Sequence, residues 1–337
     1  RKTIIVPSAF MRLCTSAQRL VPIPLLMPIV AAMAKRAGIA DGSRAWYGLA
    51  LAVGFGTFQL SATILPANVP NLVMSGAAEG SYGIHLNSLP YLLLHTPVLG
   101  WLKGGVLIAL ICWLFPGKPH PPRELIPLPP MSRDEKRLAW LLAVVLVLWV
   151  SESWHGIGPA WTGLAAAVVT LLPRVGFISG EEFSSGVNIR TCIYVAGILG
   201  LAITVTQTGI GEVVGNALLH VMPLDKESPF TSFLALTGMT SALNFIMTAN
   251  GVPALYTTFA QSFSDATGFP LLSVIMIQVL GYSTPLLPYQ ASPIVVAMGL
   301  GKVPARAGML LCIALAAVSY LILLPLDYLW YQALGKL

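Results

Sequence analysis

The sequence has little charge: only 9% of its 337 residues are Asp, Glu, Lys or Arg. Soluble domains carry roughly 25% charged residues, so this chain has too few charges to cover a water-exposed surface. Intrinsic disorder is excluded for the opposite reason, because 56% of the residues are apolar and the mean hydropathy is +0.78. The remaining class is a polytopic membrane protein. The lack of alternating strand-length segments predicts that its spans are helices rather than barrel strands.

The sequence also lacks the motifs that indicate metal, redox, protease or phosphate-binding sites. The four cysteines stand far apart, without the spacing of a metal or redox site. The sequence contains no His-Glu-x-x-His pair, no Gly-x-Gly-Asp segment and no phosphate-binding glycine loop followed by Lys-Ser/Thr. The net charge of +6 does not indicate nucleic acid, because membrane proteins collect basic residues in cytoplasmic loops. We therefore expect neither an enzyme nor a nucleic-acid partner.

Five apolar runs are suited to the bilayer, at residues 89–115, 138–150, 160–172, 192–205 and 307–326. Residues 116–137 separate them with seven prolines and five Lys/Arg, a composition that requires water. We expect three parts: a first repeat at 1–115, this linker at 116–137, and a second repeat at 138–337. Because membrane-type sequence starts at Arg1 without a signal peptide, we also expect that N-terminal spans are missing.

Proline and asparagine interrupt the other hydrophobic stretches. Interrupted spans free backbone groups that lipid cannot satisfy, as in the hairpins and discontinuous helices of secondary transporters. We predict re-entrant hairpins at 3–37 and 228–266, and a broken helix at 269–301. The breaks at 65–71 and 285–293 should be non-helical and face each other across a polar cavity. Thr15-Ser16-Ala17 recurs as Thr240-Ser241-Ala242, 225 residues later, and residues 61–76 parallel residues 283–299.

Charge placement predicts how the repeats are oriented. If the linker is cytoplasmic, 16 of the 19 Lys and Arg lie inside, and only Lys103, Lys226 and Lys336 lie outside. Five spans then separate the two copies, and an odd number inverts the second copy relative to the first. The sequence thus predicts an all-α, inverted-repeat, multi-pass protein of a bacterial-type inner membrane.

The chain resembles the divalent-anion:sodium symporter family, whose members carry C4-dicarboxylates, citrate and sulfate. The resemblance rests on five motifs in order: PSAFM (7–11), LLMPI (25–29), LPANVPNLVMSG (65–76), WHGIGPA (154–160) and LPYQASPIVVAMGLGKV (287–303). It implies a secondary active transporter of small divalent or trivalent anions, working by alternating access as a homodimer. A membrane-embedded enzyme and a non-transporting membrane subunit are the alternatives.

The hairpin tips depart from the family pattern. Relatives carry Ser-Asn-Thr upstream of a proline; here Asn244 matches the central asparagine, while Arg19 takes that place in the first hairpin. Arg19 is either a cytoplasmic anchor or a guanidinium that binds the substrate. This departure puts sodium coupling in doubt, so the sequence leaves the driving ion open between Na⁺, H⁺ and an exchanged counter-anion, and no other cofactor is expected.

The candidate substrate-binding residues are polar groups and prolines at the hairpin tips and helix breaks, where freed amides and carbonyls can hold an ion. They are Arg19, Asn68, Pro70, Asn71, Asn244, Thr248, Asn250, Gln290, Ser292 and Pro293. Asn244 and Asn250 also mark a candidate Na⁺ site. The structural alternatives are interhelical hydrogen bonds and plain proline kinks. The sequence does not distinguish one anion from another.

Overall fold

The computed structural model of the protein describes the backbone of residues 23–117, 130–186, 222–247 and 249–337, with scattered residues between 193 and 217. Throughout these ranges the regular elements are helices, and no strand is found among them. The predicted all-helical class is therefore confirmed. The hairpin predicted at residues 3–37 lies largely outside the described residues, which begin with helix α1, Ile23–Arg36.

Four further helices precede the linker: α2 Arg44–Phe55, α3 Val69–Tyr82, α4 Ser88–His95 and α5 Lys103–Leu114. Helix α2 begins where the Ser43 hydroxyl accepts a hydrogen bond from the Trp46 amide at 3.2 Å. It continues into a π turn, Gly56–Leu60, and two short 3₁₀ turns, Ser61–Thr63 and Leu65–Ala67. A second π turn, Thr96–Leu102, joins α4 and α5.

The helices after the linker are α6 Arg133–Val150, α7 Glu152–His155, α8 Pro159–Leu171 and α9 Gly180–Gly186. Helix α6 starts inside the predicted linker because Ser132 and Glu135 form a capping box. The Ser132 amide donates to Glu135 Oε2 at 2.6 Å, and the Glu135 amide donates to Ser132 Oγ at 3.2 Å. The first of these bonds lowers the pKa of the exposed Glu135 carboxyl.

In the described part of the chain after residue 222 there are seven helices: α10 Pro229–Ile246, α11 Val252–Thr258, α12 Ala260–Thr267, α13 Leu271–Tyr282, α14 Ser292–Gly301, α15 Ala305–Val318 and α16 Leu324–Ala333. A 3₁₀ turn, Pro288–Gln290, precedes α14, and a π turn, Ser319–Leu323, joins α15 and α16. Between α12 and α13 the chain bends by 109° at Gly268, whose φ of +73° suits a residue without Cβ.

Among the described residues, two continuous helical segments are long and apolar enough to cross a membrane. They are Ser88–Leu114, with 27 residues, and Ala305–Ala333, with 29 residues. They correspond to the runs predicted at 89–115 and 307–326. Trp330 links them, since its indole N–H donates to the Leu94 carbonyl at 3.0 Å. Helices α12 and α13, taken together, are also long and apolar enough to form a bent span or a re-entrant loop.

The two predicted breaks are present, but each is displaced towards the N-terminus. Helix α3 begins at Val69, so Pro70 and Asn71 lie in its first turn instead of in a non-helical loop at 65–71. Helix α14 begins at Ser292, so Pro293 likewise belongs to a first turn and not to the loop predicted at 285–293. Proline is tolerated there because the first helical N–H groups have no intrahelical acceptor.

Glycines allow helices from the two predicted repeats to approach closely. A Cβ added at Gly54 of α2 would lie 2.8 Å from the Cβ of Ala297 in α14. One added at Gly301 would lie 2.5 Å from the Cβ of Ala50. The Trp46 indole N–H also donates to the Gly301 carbonyl at 2.8 Å. Helices α2 and α14 thus interlock, and this contact brings the two helix breaks into the protein interior.

Candidate functional site at the helix breaks

The first break is held by a side chain from the helix that follows it. Asn71 is fully buried, and its Nδ2 donates to the carbonyl oxygens of Ala62 at 3.1 Å and Ile64 at 3.0 Å. The Tyr91 hydroxyl donates to the same Ala62 oxygen at 2.7 Å. Asn68 is half-buried, and its Nδ2 lies 3.4 Å from the Phe58 oxygen. Carbonyls that lost their helical partners are therefore satisfied by amide and hydroxyl donors.

The second break is held from within by Gln290. This side chain is 1% exposed, and its Oε1 accepts from the backbone amides of Leu286 at 2.7 Å and Leu287 at 3.0 Å. Those two bonds fix the orientation of the side-chain amide. Its Nε2 is buried and has no hydrogen-bond partner among the described residues. A buried donor without a partner is costly unless a ligand or water meets it.

One hydrogen bond joins the two breaks directly. The hydroxyl of Tyr282, the last residue of α13, donates to Asn71 Oδ1 at 2.6 Å. The two residues are 211 positions apart, and both are fully buried. The end of α13, where the second break begins, is therefore in contact with the first turn of α3. The polar cavity expected between residues 65–71 and 285–293 stays a prediction.

The loop between α10 and α11 contacts the second break. Asn244 is 1% exposed, and its Nδ2 lies 3.5 Å from the Gly281 oxygen and 3.4 Å from the Tyr282 oxygen. The Ala249 amide donates to the Gln290 carbonyl at 3.2 Å. Asn244 Oδ1 is buried and has no partner among the described residues. The loop and the break thus share a polar interior with one unpaired acceptor and one unpaired donor.

The remaining candidates are placed less centrally. Pro70 is buried and Pro293 half-buried, each in the first turn of its helix. Asn250 is half-buried in the loop, and Ser292 is exposed. The structure therefore brings Asn71 and Asn244 together at Tyr282, while Gln290 holds the second break and contacts the loop through Ala249. Arg19 and Thr248 lie outside the described residues.

Comparison with known proteins gives the family. Residues 3–281 match the family model CitMHS, described as citrate transporter. The chain belongs to the citrate transporter family. A relative from Cupriavidus necator, described as a membrane protein, is 25% identical over 225 residues and covers 64% of this chain. The chain spans only 41% of the length of that relative.

Membership in the citrate transporter family confirms the predicted resemblance to anion carriers. The family is one of anion permeases, close to the divalent-anion carriers that the motifs indicated. It also supports a membrane location, as the sequence predicted. Within the described residues, no group of three or more His, Cys, Asp or Glu side chains could hold a metal ion.

This member of the citrate transporter family also buries two charged residues that the sequence interpretation missed. Lys103, expected outside the membrane, is 1% exposed within the span Ser88–Leu114, and Asp327 is 3% exposed within Ala305–Ala333. Lys103 Nζ donates to Thr284 Oγ1 at 2.7 Å and to the Ser283 carbonyl at 3.2 Å. The signal was in the sequence, since a charged residue inside an apolar run is rare and tends to be functional.

A third buried charge has a structural partner. Glu152, at the start of α7, is 7% exposed, and its Oε2 accepts hydrogen bonds from both the amide, at 3.1 Å, and the hydroxyl of Ser88. Ser88 is the first residue of α4, so the carboxylate caps that helix and complements its positive end. His155 lies nearby in sequence, but its ring nitrogens bond to Leu148 O at 2.9 Å and Ile157 N at 3.0 Å.

Proposed function

We propose that this chain forms the substrate-carrying core of a secondary active transporter for small divalent or trivalent anions. Tricarboxylates of the citrate type are the class we favour, because the chain belongs to the citrate transporter family. The proposed mechanism is alternating access in a bacterial-type inner membrane, with the linker on the cytoplasmic side. The observation that carries the proposal is the meeting of two broken helices and one helix–loop–helix around Tyr282.

The chemistry of the breaks suits an anion accompanied by a cation. Helices α3 and α14 both begin at a break, and helix N-termini favour negative charge. The unpaired Gln290 Nε2 is a donor suited to a carboxylate oxygen, whereas the unpaired Asn244 Oδ1 is an acceptor suited to a coupling cation. Discontinuous helices bind substrates and coupling ions in this way in other carriers.

The proposed movement follows from how the elements interlock. Helices α2 and α14 approach too closely for one to slide past the other, as Gly54 and Gly301 indicate. The two breaks are therefore expected to move as one body, with the loop between α10 and α11 attached to it by the Ala249 amide. Residues 3–37 and 228–266 serve in this proposal as hairpins that enter from opposite sides without crossing.

Uptake by the full-length protein in proteoliposomes tests this function. Labelled citrate, succinate and sulfate are offered with and without an imposed Na⁺ or pH gradient. We expect accumulation of at least one of these anions above its equilibrium level. Conversion of the anion without accumulation would instead support a membrane-embedded enzyme, and absence of both would favour a non-transporting subunit.

Two substitutions locate the site. Asn244→Ala and Gln290→Ala each remove an amide that holds the second break, so we expect initial uptake to fall at least tenfold while the protein still inserts into the membrane. The matched control is Gln261→Ala, since Gln261 is exposed and its Nε2 bonds to Asp265 Oδ1 at 2.9 Å on the same helix. Normal uptake by Asn244→Ala would remove this residue from the site.

A further inference from the structure

Lys103 lies where a free cation would be expected in a carrier built from broken helices. Its ammonium contacts the Ser283 carbonyl at 3.2 Å, and Ser283 immediately follows the last residue of α13. The last carbonyls of a helix have no intrahelical donor and form its negative end. Unwound carbonyls of this kind coordinate mobile cations in discontinuous transporter helices.

The ammonium also contacts the hydroxyl of Thr284, and this hydroxyl is held in one orientation by a second hydrogen bond. Thr284 Oγ1 donates its own hydrogen to the Leu280 carbonyl at 2.8 Å, so its lone pairs are directed away from that bond. One of them accepts from Lys103 Nζ at 2.7 Å. A carbonyl and a hydroxyl oxygen are neutral ligands, and backbone carbonyls coordinate monovalent cations in channels and transporters.

The charge of Lys103 has one acidic counterpart nearby. Asp327 lines the same small cavity as Lys103 and Thr284, and opposite charges in one buried cavity attract each other. The other acid that is buried among the described residues, Glu152, is already bonded to Ser88. Asp327 Oδ1 has no hydrogen-bond partner among those residues, and a buried acidic group of this kind needs an opposite charge such as that of Lys103.

Two buried oxygen atoms at this cavity have no hydrogen-bond partner among the described residues and could bind a cation. The hydroxyl of Ser319 lines it, is buried and has no partner among the described residues, and the same is true of Asp327 Oδ1. The centre of a water molecule can move through about 10 Å³ here, which is room for about one water. A bare monovalent cation of similar size would meet carboxylate, hydroxyl and carbonyl oxygens in this space once the lysine side chain is shortened.

We propose that Lys103 is a tethered cation: its ammonium occupies a monovalent-cation site formed by the end of α13, Thr284 and Asp327. Shortening the lysine exposes this site to a mobile cation such as Na⁺ or methylammonium. The proposal goes beyond the proposed transport function and is tested without substrate. It assigns a role to one buried charge in each of the two continuous spans.

Thermal unfolding of the purified full-length protein in detergent tests the proposal. Lys103→Ala leaves Asp327 as an uncompensated buried charge, so in choline chloride its melting temperature should fall by about 6–10 °C. Replacing choline by Na⁺ or methylammonium at constant ionic strength should restore at least half of that loss, with saturation. The wild type and the control Lys136→Ala, whose lysine is exposed on α6, should not respond.

A double variant separates a cation site from a simple charge pair. Lys103→Ala/Asp327→Asn removes the negative ligand, so it should lose the response to Na⁺ and methylammonium. The proposal is overturned if Lys103→Ala shows the same melting temperature in all three salts, or if the double variant keeps the full response. Should Lys103→Ala not fold, Lys103→Gln, which keeps a donor without charge, is measured in the same way and must show the same cation dependence.

Discussion

The hydrogen bond between Tyr282 and Asn71 is the direct link between the two breaks, and Tyr282→Phe removes it while keeping the aromatic ring. The hydroxyl lies 2.6 Å from Asn71 Oδ1, and both residues are fully buried. Without it, the Asn71 oxygen is left as a buried acceptor with no donor. Such a group costs about 1–3 kcal/mol, so we expect a melting temperature lower by about 2–6 °C for a chain of this size.

The assay for Tyr282→Phe combines thermal unfolding with uptake of labelled citrate. Asn71 Nδ2 keeps its bonds to Ala62 and Ile64, so the first break should retain its shape and the variant should still insert. Tyr289→Phe is the control, because Tyr289 belongs to the same break but is 53% exposed. Equal melting temperatures for the two variants and the wild type would refute the argument that the breaks are coupled through this bond.

Two further predictions concern packing and charge. An added Cβ at Gly281 would overlap Thr240 Oγ1 and lie 2.6 Å from the Thr237 carbonyl, so Gly281→Ala should destabilise by about 1–3 kcal/mol in chemical unfolding. Gly238→Ala, on the facing helix with no atom near the added Cβ, should be neutral or stabilising; a similar loss in both variants would contradict the packing argument. For Arg19 we predict that its guanidinium excludes a Na⁺ ion: two unit charges about 4 Å apart repel by about 4 kcal/mol at an effective dielectric constant of about 20, roughly a thousandfold in affinity. Arg19→Asn should therefore make uptake more Na⁺-dependent and Arg19→Lys should raise the substrate KM, whereas wild-type uptake that already rises cooperatively with Na⁺ would show that Arg19 does not replace the ion.

The helix breaks could be predicted from the sequence because their causes are local. Proline lacks an N–H and restricts the residue before it, so Pro66, Pro70, Pro288 and Pro293 place each break within a few residues. Their exact limits were not predictable, since the same proline fits either a loop or the first turn of a helix. This ambiguity is why Asn71 and Pro293 belong to helices and not to the loops.

The contacts within the site depend on residues that are far apart in sequence. Polar character indicated Asn71, Asn244 and Gln290, but no local pattern distinguishes an amide that caps a backbone from one that binds a ligand. Tyr282 was missed because a tyrosine in an apolar helix is ordinarily a packing residue. Lys103 was misplaced because counting cations to orient a membrane protein assigns each lysine to a loop.

The π turns inside the two continuous spans have a consequence for how those spans can change. Each residue of an α-helix turns the chain by about 100°, and a π turn accommodates additional residues without ending the helix. Lys103 directly follows Thr96–Leu102, and Asp327 comes shortly after Ser319–Leu323. Loss of one residue from either turn would leave the span hydrophobic and helical, yet it would rotate its charged residue out of the protein and into lipid. Length, more than composition, is therefore the property of these two segments that evolution is least free to vary.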